Sequence, residues 1–461
     1  MKSRKWFLLF LVVTVSAFIL AACGGSDEPS TANDNGNNAE NQTNDDGNEN
    51  EAPENEPEET YDLGGRHITI NFHADLTPQE GTEIGDLQVE RWREVEEKYN
   101  VTIEWTTTPY DEKFDHFTTT VLAGEPYADI VLFDDTETGR LSRLALEGLI
   151  VAYDDIIDLS QTKLSDMILE QGRILPDGKV YAVETLGTFA RGGGMFYNKT
   201  LFEQAGLEDP YDLVQRGEWT WDAMLHAAKT LTSGDQYGLA LNPHTIAEYS
   251  IISNDARVLD IETGEIVLDS PEALQALEFT ADLFNLHDVV RENDRSTLWE
   301  DPPVFFNEGI AAMVHGATWE ASEERREAPF EWGYVYWPLG PNASEYGAIR
   351  TGVSGYVIPV GVEDPEIVYQ IWEDLQLWEY EREQQIAWFE DIFPNEESVE
   401  MATQMLDNVK FGRWKPYNLA DAFYGTWEAI AFGEQTPAQA VASIKPEAQA
   451  RVDEFLGSAS E

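Results

Sequence analysis

The chain has 461 residues, of which 87 are Asp or Glu and 29 are Lys or Arg, giving a formal net charge of −58 at pH 7. A surplus of that size excludes nucleic acid and anionic membrane surfaces as partners. The acids run along the whole chain, so they describe a solvated surface, as a saline or alkaline habitat would favour, and not a site.

Lys2, Arg4 and Lys5 form a positive start, residues 6–20 are almost wholly apolar, and the run closes on Leu20-Ala21-Ala22-Cys23-Gly24-Gly25. This is the layout of a secretory signal with small residues at the cut. The apolar run is shorter than the roughly 20 residues that a membrane span prefers, which argues against an uncleaved membrane helix. A cut placed before a cysteine resembles the lipobox of bacterial lipoproteins. The expectation is a signal peptide over residues 1–22, with Cys23, the only cysteine, lipidated as the first mature residue. Two acyl chains anchor a protein stably where one does so marginally. The mature protein is therefore expected on the extracellular face of a bacterial cell membrane, without disulfides.

Residues 24–60 hold no Lys, Arg, aromatic or large aliphatic side chain. Such a stretch cannot bury enough apolar surface to offset its ordering entropy, so residues 23–60 are expected as a lipidated cysteine and a disordered acidic linker. Like charges extend it into a stalk. Its acids follow no metal-ligand spacing.

Residues 61–461 are about 400 residues, too many for one simple core, and predict two lobes. Residues 67–72 (HITINF) read as a strand. Val89, Trp92, Val95 and Tyr99 then mark a helix face, residues 101–105 (VTIEW) a second strand, and Phe114, Phe117 and Val121 a second helix face. Residues 130–133 (IVLF) form a continuous apolar run, as in a strand covered on both faces. This alternation predicts parallel pairing with right-handed crossovers, an α/β lobe. Further on, Thr220 opens a helix striped by Trp221, Met224, Leu225 and Ala228, and Ser270-Pro271-Glu272 opens one striped by Leu274, Leu277, Ala281 and Phe284. Asp364-Pro365-Glu366 repeats the opening before Val368, Ile371, Trp372 and Leu375. These stripes are read as core.

Five fragments then carry a resemblance. Residues 197–207 (YNKTLFEQAGL) resemble the YNK-x-LF-x-x-AGL segment of the extracellular solute-binding proteins of family 1, the maltose-binding-protein-like receptors of ABC importers. Residues 177–183 (DGKVYAV), 220–224 (TWDAM), 306–313 (FNEGIAAM) and 355–359 (GYVIP) are similar to that family's DGKVYGVP, TWDEL, F-x-x-GKAAM and GWAIPK segments. Tyr356 stands where the family usually has Trp, and Arg191-Gly192-Gly193-Gly194 is unusually rich in glycine. The resemblance implies a two-lobed periplasmic-binding-protein type II fold of α/β class with a hinge between the lobes. Carried onto this chain, the first lobe takes residues 61–185 and 316–378, and the second takes residues 186–315 and 379–461. The glycines at 192–194 suit a hinge or a plain loop. The implied partners are a small solute, the permease subunits of an ABC importer and, through Cys23, the membrane. The receptor is expected as a monomer without cofactor.

Ligands of open α/β lobes bind beyond the carboxyl ends of the strands. That rule selects His73 and Asp75 after the first strand, Asp134, Asp135 and Thr136 after residues 130–133, Glu184 after residues 180–183, and Trp319 after residues 310–314. Tyr356 and Trp414 complete the candidates. Carboxylates accept hydrogen bonds from sugar hydroxyls, and aromatic faces cover the apolar side of a pyranose, so an oligosaccharide is the favoured solute. The structural alternatives are a tryptophan packed at the lobe boundary for Trp319, a helix cap for Asp135, a hinge ion pair for Glu184 and a lid over core for Trp414. No nucleophile elbow, zinc-protease, P-loop or dinucleotide motif is present, and the seven histidines are scattered, so neither a catalytic nor a metal site is expected. A glycoside hydrolase and a surface sensor or adhesion module are the rival classes.

Overall fold

A computed structural model describes residues 61–135, 139–189, 192–321 and 323–457. The expectations for residues 1–60, Cys23 included, and for Thr136 fall outside the described residues. In chain order the strands are β1 (Arg66–Phe72), β2 (Val101–Thr107), β3 (Ile130–Asp135), β4 (Gly193–Asn198), β5 (Tyr237–Ala240), β6 (Leu259–Asp260), β7 (Glu265–Ile266), β8 (Ala311–Ala317), β9 (Trp332–Val335), β10 (Ala348–Arg350), β11 (Val353–Val357) and β12 (Val409–Phe411). They form a four-stranded sheet in the order β11-β3-β1-β2, a sheet in the order β12-β10-β4-β8-β5 with β9 also paired to β4, and a β6–β7 ribbon.

The first sheet follows from local chemistry. Thr82 caps the helix Glu83–Tyr99 by accepting from the Gly85 N–H, and Asn100, at φ 48°, turns the chain directly into β2. The helix buries Val89, Val95 and Tyr99, and β1 and β2 pair in parallel from Arg66 opposite Val101 to Phe72 opposite Thr107. One face of the sheet packs Ile68, Ile70 and Ile130 against Tyr369 and Trp372. The other packs Val131 and Phe133 against Phe117 and Val357. That alternation places both faces of β3 in core. Its pairing with β11 is antiparallel.

In the second sheet β4 is buried along its whole length. The helices Trp221–Leu231 and Pro271–Asn285 begin with Thr220 and Ser270 accepting from the Ala223 and Ala273 N–H groups. The third opening differs. Asp364, at φ 47°, makes no cap bond to the helix Pro365–Leu375, and its carboxylate stands 3.9 Å from Arg66.

Three expectations need correction. The stretch 180–183 is no full strand: only Val183 forms a bridge, to Tyr356. The chain does not return to the first lobe at Gly316. After β8 it continues through β9 and β10, both in the second sheet, and rejoins the first only at Val353, because β9 pairs with β4 from Asn198 opposite Trp332. Gly193 and Gly194 are buried in β4 and are no loop. A Cβ on Gly193 would lie 1.7 Å from the Tyr249 hydroxyl, and one on Gly194 2.4 Å from the Val335 carbonyl oxygen, so these glycines permit close packing and supply no hinge freedom.

The chain thus passes between the sheets at residues 184–192, at 351–352, and again after Trp378, which packs in the first lobe, on entry to the helix Glu381–Ile392, which packs Phe389 and Ile392 in the second. Among the described residues no helix is long and apolar enough to cross a membrane.

Candidate ligand-binding cleft

Strand direction places the site. β1, β2 and β3 are parallel and end on one edge, where β11 enters with Val353 opposite Asp135. β5 and β8 are also parallel, and Gly193 pairs with both Ala317, at the end of β8, and Ile349. The described parts of the first crossover, residues 184–189, and the second, residues 351–352, therefore run along the carboxyl edges of both sheets. Two adjoining cavities, of about 500 Å³ and about 540 Å³, open there and share Tyr249, Ala317, Trp319 and Thr351.

Trp319 is presented by a 3₁₀ turn, Thr318–Glu320, directly beyond β8. The Glu320 carboxylate folds back to accept from the Ala317 N–H at 2.8 Å, and the Thr318 N–H donates to the Gly192 carbonyl. The turn is held at both ends, so the indole projects into the cleft, 59% exposed. A second exposed indole, Trp299, lines the cavity of about 500 Å³ at 50% exposure, edge-on to His244 and Tyr424. His244 is fixed by stacking on Tyr424 with ring centroids 4.2 Å apart and by Glu428 at 2.8 Å from its Nε2.

The cavity floor is polar and tightly held. The helix Pro243–Ser253 follows β5, with Asn242 accepting from the His244 N–H, and brings in His244, Thr245, Glu248 and Tyr249. The Glu248 carboxylate accepts from the Trp414 indole N–H at 2.9 Å and faces the Lys415 ammonium at 3.2 Å. Gly412 leaves room for it, since a Cβ there would lie 2.8 Å from Glu248 Oε1. Lys415 also donates to the Thr351 hydroxyl. Burial and the Arg325 guanidinium push the His315 imidazole down to about 3, so it is neutral at pH 7, and burial raises the Glu320 carboxyl above its usual range.

The residues selected from sequence fall in different places. Trp319 is on the cavity wall. Trp414 is 2% exposed and packed on Phe423, behind the cavity rather than in it, where it orients Glu248. Glu184, also 2% exposed, accepts from Arg350 at 3.2 Å and from the Ser354 hydroxyl. It ties the first crossover to the second, which is the ion-pair alternative for this residue. Asp134 and Asp135 stand in β3 opposite Ser354 and Val353; their side chains are outside the described residues. His73 lies edge-on to Tyr110 at the end of β1. The Thr77 side chain, and after it the Thr77 N–H, donates to Asp75 and holds its carboxyl below the usual range. Tyr356 packs its ring on Trp372 in the first-lobe core. His73, Asp75 and Tyr356 are not among the described residues lining either cavity.

Sequence reasoning missed Trp299, His244 and Glu248. His244 and Glu248 follow the end of β5 by the same strand-end rule, and a reading of residues 237–240 (YGLA) as a strand would have found them. Trp299 lies in the turn before the helix Asp301–Asn307 and carries no periodic signal. Three cations, Arg325, Arg350 and Lys415, also line the cleft.

Comparison with known proteins bears on the family and the fold. A family model described as bacterial extracellular solute-binding protein matches residues 79–372. A binding protein of Brucella abortus (strain 2308) is 25% identical over 288 residues, covering 59% of this chain and 62% of the relative. The arabinooligosaccharide-binding protein of Bacillus subtilis (strain 168) is 25% identical over 236 residues, 50% of this chain and 51% of its own length. Both matches thus span less than two thirds of the curated relative. The solved cyclic α-maltosyl-1,6-maltose binding protein of Arthrobacter globiformis shares the fold, with a TM-score of 0.62 at 17% identity over 85% of this chain and 100% of that one. All three are named as binding proteins.

Proposed function

The chain belongs to the bacterial extracellular solute-binding proteins, and we propose that it captures an oligosaccharide at the outer face of the cell membrane and delivers it to an ABC importer. The observation that carries the solute class is the pair of exposed indoles, Trp319 and Trp299, on one cavity whose floor is polar and hydrogen-bonded. An indole face covers the apolar side of a sugar ring, and fixed carboxylates and imidazoles take its hydroxyls. Two indoles on one wall suit a solute of more than one ring. The Bacillus subtilis relative, named for arabinooligosaccharides, supports the same class.

Attachment rests on the segment Leu20-Ala21-Ala22-Cys23, read as a lipobox, with residues 24–60 as the spacer. Closure of the lobes on the solute, as a monomer, with Asp134, Asp135, His73 and Asp75 reaching it from the first lobe, completes the reading. A thermal-shift screen of the purified chain against a glycan panel tests it. Ligand at 100-fold its dissociation constant stabilises by about 2.7 kcal/mol, a rise of a few degrees. A panel spanning hexose, pentose and uronate oligomers that leaves the melting temperature unmoved, while a peptide or polyol raises it, overturns the oligosaccharide reading.

A further inference from the structure

The wall of the cavity of about 500 Å³ carries a guanidinium that the protein pairs incompletely. Arg325 lines the cavity and is 2% exposed, with its guanidinium carbon 3.7 Å from the Phe196 ring centroid and 5.4 Å from that of Phe306. Its Nε and Nη1 have no hydrogen-bond partner, and among the described residues no carboxylate stands within 4.0 Å of it. The carboxylate whose charge acts on it, Glu320, accepts from the Ala317 N–H and does not reach it in a direct pair. Burying a cation without a counter-charge is costly, and two phenyl faces compensate only in part.

The other cations of the cleft are already answered. Lys415 faces Glu248, Arg350 faces Glu184, and His244 meets Glu428. Close to Arg325, two acceptors of the same wall also lack partners, His315 Nδ1 and Asn307 Oδ1. The wall therefore offers donors with a full positive charge beside acceptors suited to hydroxyls. A ring that carries both an anionic group and hydroxyls satisfies both sets; a wholly neutral sugar leaves the charge uncompensated.

We propose that Arg325 receives a carboxylate of the solute, so that the captured oligosaccharide is an acidic one containing uronic acid residues. This rests on the oligosaccharide reading above and narrows it. The two phenyl rings beside the guanidinium keep water from screening the pair.

Calorimetric titration of the full chain in mild detergent tests the proposal, using oligomers of galacturonate, glucuronate and mannuronate, each beside its carboxyl methyl ester, and neutral hexose and pentose oligomers. At least one acid is expected to bind more tightly than its ester by about 10- to 100-fold, the range of a charge-assisted hydrogen bond. Arg325→Gln should bring acid and ester to within about threefold of each other. Equal binding of acid and ester in the wild type overturns the inference whatever the variant does. So does binding of a neutral oligomer with no acid bound, although the oligosaccharide reading then stands. If no oligomer binds, both fall.

Discussion

Trp319 and Trp414 are both tryptophans near one cleft, and their surroundings assign them opposite work. Trp319 is largely exposed on a turn whose ends are fixed by Glu320 and Gly192, so its removal leaves the core intact. A sugar face stacked on it buries on the order of 80 Å² of apolar surface, worth roughly 2 kcal/mol at about 25 cal/mol per Å². Trp319→Ala should therefore weaken solute binding about 30-fold while the melting temperature holds within a degree or two. Trp414 is packed in the core beneath Glu248, and Trp414→Ala should cost roughly 3 to 5 kcal/mol of stability. Calorimetry and thermal melts on the two variants check both; full affinity with a much lower melting temperature for Trp319→Ala would reverse the assignment. Trp319 was legible from sequence because the end of an apolar strand is a strong positional signal. Trp414 was not, since a tryptophan in a loop reads alike whether it covers core or ligand. Trp299 and Arg325 were invisible for a related reason: what singles them out is exposure in one case and missing partners in the other, and both are properties of the fold.

At the scale of elements, caps and stripes were the legible part. Thr220 and Ser270 begin their helices as their side chains require, whereas Asp364, in the left-handed region at φ 47°, makes no cap bond from the same local pattern. The crossovers were less legible, because strands of the second sheet recur in the segment 332–350, where sequence order and lobe order part company. The crossovers are also coupled. Glu184 joins the first to the second through Arg350 and Ser354, and Glu381, at the third, accepts from the Leu186 N–H of the first at 3.0 Å. Burial raises the Glu381 carboxyl to about 7 from an ordinary value near 4.5. Since the folded value lies above the unfolded one, ionisation is penalised in the folded state: the penalty is absent below about pH 4.5 and complete above about pH 7. Glu381→Gln keeps an acceptor for Leu186 and removes the charge. It should raise stability at pH 8 by an amount on the order of 1 to 3 kcal/mol and flatten its pH dependence between pH 5 and 7. Urea midpoints across that range measure it, and a variant less stable than wild type at pH 8 would mean that the carboxylate is compensated there.

At the scale of the whole molecule, the sequence opens on a positive, apolar segment proposed as a leader and an acidic segment proposed as a spacer, and continues into two lobes, and each part predicts its own behaviour. The leader predicts attachment: with Cys23→Ser the chain should stay unprocessed or leave the membrane fraction, and a mature Ser variant that still fractionates with membranes would remove the lipid anchor. The lobes predict motion. Two sheets with largely separate cores are joined by three crossovers, with further contacts such as the Tyr417 hydroxyl on the Ile174 carbonyl and Arg413 beside Glu170 at 2.9 Å. The described walls of both cavities come from the second lobe and the crossovers, with Ser354 of β11 the contribution of the first sheet. A solute held there still offers a face toward the ends of β1 and β3. Contacts on that face form only if the lobes approach, so the solute binds the closed form better than the open one, and only such differential binding can shift the equilibrium. A shift from mostly open to mostly closed, 1:99 to 99:1, takes about 5.5 kcal/mol of that difference, within reach of several hydrogen bonds and one stacked ring. About 400 residues packed as one compact body have a radius of gyration near 21 Å. Small-angle scattering of the lobes should lie above that value without solute and move toward it at saturation. An identical scattering profile with and without a solute that calorimetry shows to be bound would mean that the second lobe and the crossovers hold it unaided.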